Sequence, residues 1–535
     1  MLSAKLNRTD VTPGGVPSKR GVRSSLGWLG GGMLSGILVA LSIPPFGFWP
    51  LAWLGFAVLA FVLPGRSLSE RALLGLGAGL GQFAIGLAWV SEFSIPGCVA
   101  LIIVSALFVC AALVITPSRR SAAVAIGMPA AFVLTDWLRA RFPLGGFPLG
   151  GISLGQSVSP LVPALRLGGS LLLTGETVLV GVLVAQIVRA GTGRLISKSS
   201  LHLEPTTPPT GAVTLVATTA LVVAIPLAGW LSPGGAGRPL PPLRAALVQG
   251  GGERGTRAIH TDPEVVFQRH VTASAAIRPP VDLVVMPEGI LQTDQTYTET
   301  ADASQLVSIA QSLQCTVIAG VEQDVGTKHY LNQVAAWSPS GEVVAVYLKN
   351  HRVPFGEYVP WRSLISKLFN VSDVPLDAIA GHGAGYMNTP AAPVGVMISY
   401  EVFFDDRARG GVRAGGQVLV VPTNTASYRS SQVPTQELAA ARLRAWETGR
   451  WVLQVTPTGY SAVVTPEGRV LDRSKLGRQD VVQAVVQRRT GRTVYVDVGD
   501  SPFAVGAFLV AAGSWLGTRT NILRRRPRPN GSRQS

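Results

Sequence analysis

Apolar residues run along this chain in two rhythms. Long, nearly unbroken apolar stretches fall near residues 27–44, 49–64, 72–90, 98–115, 122–138, 164–188 and 211–231, and one more at 503–518. A helix rises about 1.5 Å per residue, so crossing a hydrocarbon core of about 30 Å takes roughly 20 apolar residues. These eight stretches are therefore predicted to be membrane spans, the second of them short. After a Pro/Gly-rich linker at 233–242 the rhythm changes to short β-branched runs alternating with amphipathic stretches, the pattern of a soluble α/β domain. Strands are predicted at 243–248, 281–286, 315–320, 333–338, 343–348, 394–398, 417–421, 451–456 and 462–465, and helices at 263–277, 303–313 and 435–450.

Charge orients the spans. The excess of Lys and Arg over Asp and Glu, 46 against 30, gives a formal charge of +16. The basic residues gather in tails and short loops: Lys5, Arg8, Lys19, Arg20 and Arg23; Arg66 and Arg71; Arg119 and Arg120; Arg189, Arg194 and Lys198; and residues 519–533. If all eight stretches cross, these all lie on the amino-terminal side, which the positive-inside rule makes cytoplasmic. The expectation is a multi-pass cell-membrane protein with both termini in the cytoplasm. Its order is a basic tail 1–26, a membrane domain 27–231 of seven spans, an extracytoplasmic α/β domain 232–502, a last span 503–518 and a basic tail 519–535. Residues 1–26 have too little apolar surface to fold. Their length, and the spans that follow at once, set them apart from a cleaved signal peptide.

Composition narrows the class. With 14% charged residues and a mean hydropathy of +0.34, the chain is too apolar for an ordinary soluble enzyme. Basic loops scattered between spans, rather than one basic face, argue against nucleic acid as a partner. Cys98, Cys110 and Cys315 have neither metal-ligand spacing nor a disulfide framework, so no metal is predicted, and Cys315 reads as a small apolar strand residue.

Chemistry is suggested where three buried runs stop at polar residues: 281–286 before Pro287 and Glu288, 343–348 before Lys349, and 394–398 before Ser399, Tyr400 and Glu401. Glu288, Lys349 and Ser399 are thus expected at the rim of one sheet. A hydroxyl or thiol attacks weakly until a base takes its proton, and the resulting oxyanion needs a positive or N–H-rich pocket. Taken singly, each group also fits a structural role.

In that chain order they resemble the Glu-Lys-Cys triad of the nitrilase, or carbon-nitrogen hydrolase, superfamily. The text Met286-Pro-Glu-Gly289, then Tyr347-Leu-Lys-Asn-His-Arg-Val-Pro-Phe-Gly-Glu-Tyr-Val-Pro360, then Ser-Tyr-Glu401, with spans on both sides, resembles the apolipoprotein N-acyltransferase family. The resemblance implies an α-β-β-α sandwich beside the multi-span domain. It also implies a two-step transfer, without cofactor, of an acyl chain from a phospholipid to the amine of a diacylglyceryl-cysteine lipoprotein. Glu288 would be the base, Lys349 the oxyanion partner, and Glu357, Glu401 and Asn424 supporting groups; Ser399 should lie within hydrogen-bond reach of Glu288 or Lys349. Arg139 and Arg141, in a Gly/Pro-rich loop at 137–151, read either as two snorkelling arginines of an irregular loop or, by resemblance, as a mouth for lipid phosphate. Where the family carries Asp, Trp and Gly after the asparagine, this chain has Thr425, Ser427 and Arg429. Arg444 and Glu447 match a helix motif and read as an ion pair. Some relatives join such a membrane domain to a polyprenol-phosphate mannosyltransferase, which here would be a separate partner.

The main departure is Ser399, which stands where the family has its nucleophilic cysteine. A hydroxyl ionises far less readily than a thiol, and an oxoester donates its acyl group to an amine less readily than a thioester. Two functions follow: an acyltransferase working through serine, or a catalytically impaired paralogue that binds lipid or lipoprotein without turnover.

The topology is directly testable. A reporter fused after Gly237 is expected to be active only in its extracytoplasmic form; activity restricted to the cytoplasm would overturn both the span count and the access of the α/β domain to the outer face.

Overall fold

A computed structural model describes residues 19–118, 121–199, 210–256 and 260–523. Lys5, Arg8, Arg119, Arg120 and residues 524–535, used above to orient the spans, lie outside the described residues. Each apolar stretch is mainly helical: α1 (Lys19–Ser42), α2 (Pro50–Val62), α3 (Leu68–Gly86), α4 (Ile95–Ile115), α5 (Ser121–Arg139), α6 (Leu165–Ser199), α7 (Thr210–Leu231) and a last helix at Ser501–Leu523; the stretch at 72–90 leaves the α-helix after Gly86 for a 3₁₀ helix, Ala88–Glu92, and α6 is kinked at Gly168 and Gly169. Five of the described helical stretches, 25–42, 95–115, 122–139, 162–192 and 211–231, are long and apolar enough to cross a membrane, while α2 and the last helix are shorter apolar helices. The tail expected to be unfolded as far as residue 26 is helical from Lys19. Lys and Arg are good helix formers, so the helix of the apolar run extends into them at little cost.

Helix α3 starts where it does because of a capping box: the Ser67 hydroxyl accepts from Glu70 N–H and the Glu70 carboxylate accepts from Ser67 N–H. Its two small-residue stripes then decide the packing. Gly77 and Gly81 lie against the α1 backbone at Leu29 and Met33, and Gly75 and Gly79 against α4 at Cys110 and Ala106. From the other side, Gly32 and Gly36 of α1 abut the carbonyls of Leu74 and Ala78. Inside a bilayer, where apolar burial gives no drive, such close backbone approach supplies the dispersion that holds helices together.

The α/β part contains β1 (Leu243–Gln249), α8 (Pro263–Ser274), β2 (Leu283–Val285), β3 (Leu291–Thr293), α9 (Ala301–Leu313), β4 (Thr316–Val325), β5 (His329–Trp337) and β6 (Val343–Leu348). It continues with α10 (Arg362–Leu368), β7 (Asp377–Ala378), β8 (Tyr386–Asn388), β9 (Pro393–Val396), α11 (Asp405–Arg413), β10 (Val418–Pro422) and α12 (Gln432–Thr448). Then come β11 (Val452–Val455), β12 (Ala462–Val464), β13 (Val470–Arg473), β14 (Asp480–Val486) and α13 (Val494–Val498), and the last helix is α14. The strands form two sheets. One has the order β14-β1-β2-β4-β5-β6, with β3 on β4 and β7 on β5; the other is β13-β12-β11-β10-β9-β8.

Alternation along the strands sorts their side chains between layers. Leu243, Ala245 and Leu247 of β1 face a core shared with Val394, Val396, Val418 and Val420 of the second sheet, while Ala246 and Val248 point the other way onto Phe267 of α8 and Leu306 of α9. The second sheet covers its outer face with α11 and α12, which completes the α-β-β-α sandwich. One expectation is corrected: Glu288 and Lys349 end strands of the first sheet, whereas Ser399 follows β9 of the second. An apolar run marks a buried strand, but partner choice depends on residues far away in sequence.

That outer layer also joins the two domains. Leu419 and Val421 of β10, Leu438 and Leu443 of α12, and Phe56, Met128 and Leu173 of the helical domain belong to one continuous buried cluster. Helix α12 lies between sheet and helical bundle, and all its residues except Thr435 and Arg442 are buried. A helix buried on all sides cannot show an amphipathic stripe.

Gly36→Leu is expected to force α1 away from α3 and sharply lower the yield of folded protein in detergent, whereas Gly30→Leu, at a position with open space around it, should leave it unchanged. Size-exclusion profiles of the two variants check this; equal, wild-type behaviour would remove the packing argument.

Candidate active site

Lys349 is the centre of the site. It follows β6, its N–H donating to the Asn332 carbonyl of β5 at 2.9 Å, and its side chain is 1% exposed. The ammonium donates to Glu288 Oε1 at 2.7 Å and Glu357 Oε1 at 2.5 Å. Burial opposes its charge, but the two carboxylates outweigh burial and raise its pKa well above the ordinary lysine value. Among the described residues, two of its three N–H donors are engaged this way. Glu357 is brought there by a tight turn: its N–H donates to Val353 O and its Oε2 accepts from Val353 N–H, both at 2.8 Å. Burial pushes the Glu357 carboxyl up, against the pull of Lys349.

Glu288 comes from the turn after β2, which lies directly on β4. A Cβ on Gly320 would meet Glu288 Cα at 2.5 Å, so only glycine permits this approach. Asn332, 1% exposed, donates from Nδ2 to both Glu288 Oε1 (2.8 Å) and Glu357 Oε1 (3.0 Å) and thereby spaces the carboxylates around the ammonium. Sequence reasoning missed it, although an asparagine inside an apolar strand is unusual enough to be a signal. Opposite Asn332 in the strand pair is half-buried Glu322, whose carboxyl is pushed up to about 8 by burial and by the charges of Glu288 and Glu357.

Ser399 opens a short 3₁₀ turn, Ser399–Phe403, with φ of +49°. Non-glycine residues avoid this left-handed region, at a cost of roughly 1–2 kcal/mol, and such strain collects at functional sites. Glu401 holds the turn. Fully buried, its carboxylate accepts from Ile398 N–H (2.8 Å), Asn350 N–H (2.7 Å), His351 N–H (3.1 Å) and the Tyr347 hydroxyl (2.9 Å). The Ser399 turn of one sheet is thereby stapled to the lysine turn of the other. The Tyr400 hydroxyl donates to Gly146 O at 3.0 Å, which ties the turn to the helical domain.

The expected hydrogen bond from Ser399 to Glu288 or Lys349 is not the one formed. Among the described residues the Ser399 hydroxyl is bonded by Thr423 Oγ1, at 3.3 Å, and Thr423 in turn lies 2.7 Å from Glu437 Oε1. Bonds between nucleophile and base commonly tighten only in the reacting complex. Glu437 is still close enough to the pocket to feel the charges of Glu288 and Lys349. Neither stood out in the sequence: Thr423 is a lone hydroxyl directly after the apolar strand β10, and α12, which carries Glu437, is buried on all sides and shows no polar face.

Asn424 turns its Oδ1 back onto Ala426 N–H at 3.1 Å and so shapes its own loop. That loop, with Thr425, Ser427 and Arg429, is fixed to the helical domain. Glu92 accepts from Arg429 and Ser430 N–H, and the Tyr428 ring packs on Trp89 and Phe93. Arg444 and Glu447 form the expected buried pair at 3.0 Å, shared with Ser170 of α6.

Arg139 corrects another expectation. It is 5% exposed, and its terminal nitrogens donate to Phe147 O (2.5 Å), Leu149 O (2.9 Å) and Asp136 Oδ1 (2.8 Å). A buried guanidinium must satisfy its donors locally, so Arg139 braces the loop instead of facing lipid phosphate. Arg141 pairs with Asp500 at 2.6 Å and keeps 39% of its side chain exposed. A cavity of about 170 Å³ lies nearby, lined by Asp136, Arg141, His351, Phe403, Asp406 and Arg444; no triad residue lines it.

Taken together, this geometry defines a class: a nitrilase-type α-β-β-α fold whose carboxylate-lysine cluster is set against a bundle of apolar helices. Residues 244–495 match the carbon-nitrogen hydrolase family, and residues 35–183 match the apolipoprotein N-acyltransferase N-terminal domain. The chain belongs to the apolipoprotein N-acyltransferase family, a family of acyltransferases. It is 29% identical to the apolipoprotein N-acyltransferase of Azotobacter vinelandii over 94% of this chain and 98% of that one. It is 28% identical to that of Geobacter metallireducens, over 90% and 94%. Among solved structures, an amidase from Nesterenkonia sp. is similar over 52% of this chain and 98% of its own, with 18% identity and a TM-score of 0.36.

Removing the ammonium would leave Glu288 and Glu357 facing each other without a cation. Lys349→Met is therefore expected to destabilise the α/β domain by about 3–5 kcal/mol, the usual cost of breaking a buried ion pair, and Glu357→Gln by clearly less. Thermal unfolding in detergent tests the order; a Lys349→Met protein that melts with the wild type would sink it.

Proposed function

We propose that this protein N-acylates the amino-terminal diacylglyceryl-cysteine of lipoproteins, taking the acyl chain from a phospholipid through a covalent ester on Ser399. The observation that carries the reading is the buried Lys349 ammonium held by Glu288, Glu357 and Asn332. Such a cluster is seldom more stable than apolar packing of the same volume, so its presence points to chemistry. In the first step Ser399 Oγ attacks the phospholipid ester carbonyl, its proton passes to Glu288, and the oxyanion takes the third N–H of Lys349. The C–O bond of the phospholipid ester breaks, and its oxygen leaves with the proton from Glu288 as a lysophospholipid. The lipoprotein amine then attacks the acyl-serine, gives its proton to Glu288, and the Ser399 C–O bond breaks with return of a proton to Oγ.

The topology proposed with it has eight spans, the α/β domain outside the cell membrane and both termini in the cytoplasm, which gives both amphiphilic substrates access to Ser399. Residue 399 itself favours a second reading, a paralogue that binds lipid or lipoprotein without turnover, because serine is the weaker nucleophile.

The two readings part on a labelled phospholipid incubated with wild type, Ser399→Cys and Ser399→Cys combined with Glu288→Ala. Acyl transfer predicts labelled protein from the wild type, more from Ser399→Cys, and a loss of about 10²-fold or more when Glu288 is removed. No label in any variant would leave the binding protein as the correct account.

A further inference from the structure

Resting on the acyl-transfer reading, we infer that Thr423 and Glu437 form a hydrogen-bond pair that adapts this site to an oxygen nucleophile, with Thr423 donating to Ser399 Oγ as the acyl-serine bond breaks. Thr423 Oγ1 is 3.3 Å from Ser399 Oγ and 2.7 Å from Glu437 Oε1, and Thr423 and Glu437 are 0% and 3% exposed. The chemical need is specific. A thiolate leaves a tetrahedral intermediate readily, its acid having a pKa of about 8.5, whereas a serine alkoxide is far more basic and leaves only if a donor meets the charge forming on Oγ. Lys349 serves the other oxygen, the one on the former carbonyl carbon. Thr423 is the hydroxyl placed to serve Oγ.

Thr423 has one proton, and Glu437 decides where it points. No cation pairs with Glu437 among the described residues. Burial pushes its carboxyl up to about 8, the Thr423 hydrogen bond and Lys349 work against this, and Glu288 adds to it. As a neutral acid it donates its O–H to Thr423 Oγ1, so the Thr423 proton is turned toward Ser399. As a carboxylate it would draw that proton to itself. No proton changes owner along the pair: the Ser399 proton still goes to and returns from Glu288. Thr423 is the catalytic residue here, touching the reacting oxygen, and Glu437 is the positioning residue. The titratable groups that face Glu437 are Glu288 and Lys349 from the first sheet and Tyr428 from the loop after β10.

The test uses the full-length protein in detergent, labelled phospholipid and a synthetic diacylglyceryl-cysteine peptide, with acyl-enzyme formation and transfer to the peptide followed separately. Thr423→Val should slow transfer about 10²-fold, the usual loss for one such donor, with the acyl-enzyme accumulating, and Thr423→Ser should restore it. In a Ser399→Cys background Thr423→Val should cost only a few-fold, because a thiolate needs no donor. Glu437→Gln keeps an N–H donor, so its rate relative to wild type should rise as pH passes upward through about 8, where wild-type Glu437 ionises. If Thr423→Val slows serine and cysteine enzymes alike, or slows neither, the pair is structural and the inference fails while the acyltransferase stands. A folded wild type that forms neither acyl-enzyme nor product overturns both.

Discussion

A lysine ammonium buried between two carboxylates is the interaction on which the rest of this site depends. Taking Lys349 out of water is costly unless charge and hydrogen bonds replace the solvent, and Glu288, Glu357 and the fixed amide of Asn332 supply that replacement. Each comes from a different turn or strand of the first sheet, so its strand ends must converge for the charge to be tolerated. The same convergence preorganises an electrostatic pocket, and a pocket that needs no rearrangement during reaction is what stabilises an oxyanion. Fold stability and chemistry are therefore tied to the same side chains.

The second constraint is the placement of Ser399. Ser399 belongs to the other sheet, and the Glu401 carboxylate, accepting from both turns, holds the two sheets' functional ends in register. The strained φ at Ser399 is maintained by these bonds and by Tyr400 reaching Gly146. Through Gly146, the loop braced by Arg139, and the buried length of α12, the Ser399 turn is continuous with the helical domain. The α/β domain thus presents Ser399 beside the apolar bundle.

Replacing cysteine with serine changes the demand on the surroundings more than the shape of the site. A thiol site needs little help when the acyl group departs, whereas an oxygen site needs a donor at the leaving atom. The buried Thr423 hydroxyl lies 3.3 Å from the Ser399 oxygen and 2.7 Å from Glu437.

The sequence alone determined what local pattern can carry. Runs of apolar residues marked the helices of the membrane domain and the buried strands, because length and composition suffice for both. The order Glu288, Lys349, Ser399 with Glu357 eight residues past the lysine was legible because these residues sit at strand ends within recognisable text. Short strands such as Leu291–Thr293 and Tyr386–Asn388 were not legible, since a few residues carry no periodicity. Only the tertiary structure decided that the strand ends belong to two sheets and that Arg139 braces a loop. It also placed Asn332 beside Glu288 and Glu357, and Thr423 and Glu437 beside Ser399. The physical reason is the same in each case: strand pairing, burial and hydrogen-bond satisfaction depend on partners distant in the chain, and a residue's neighbours in sequence say nothing about which distant groups will meet it.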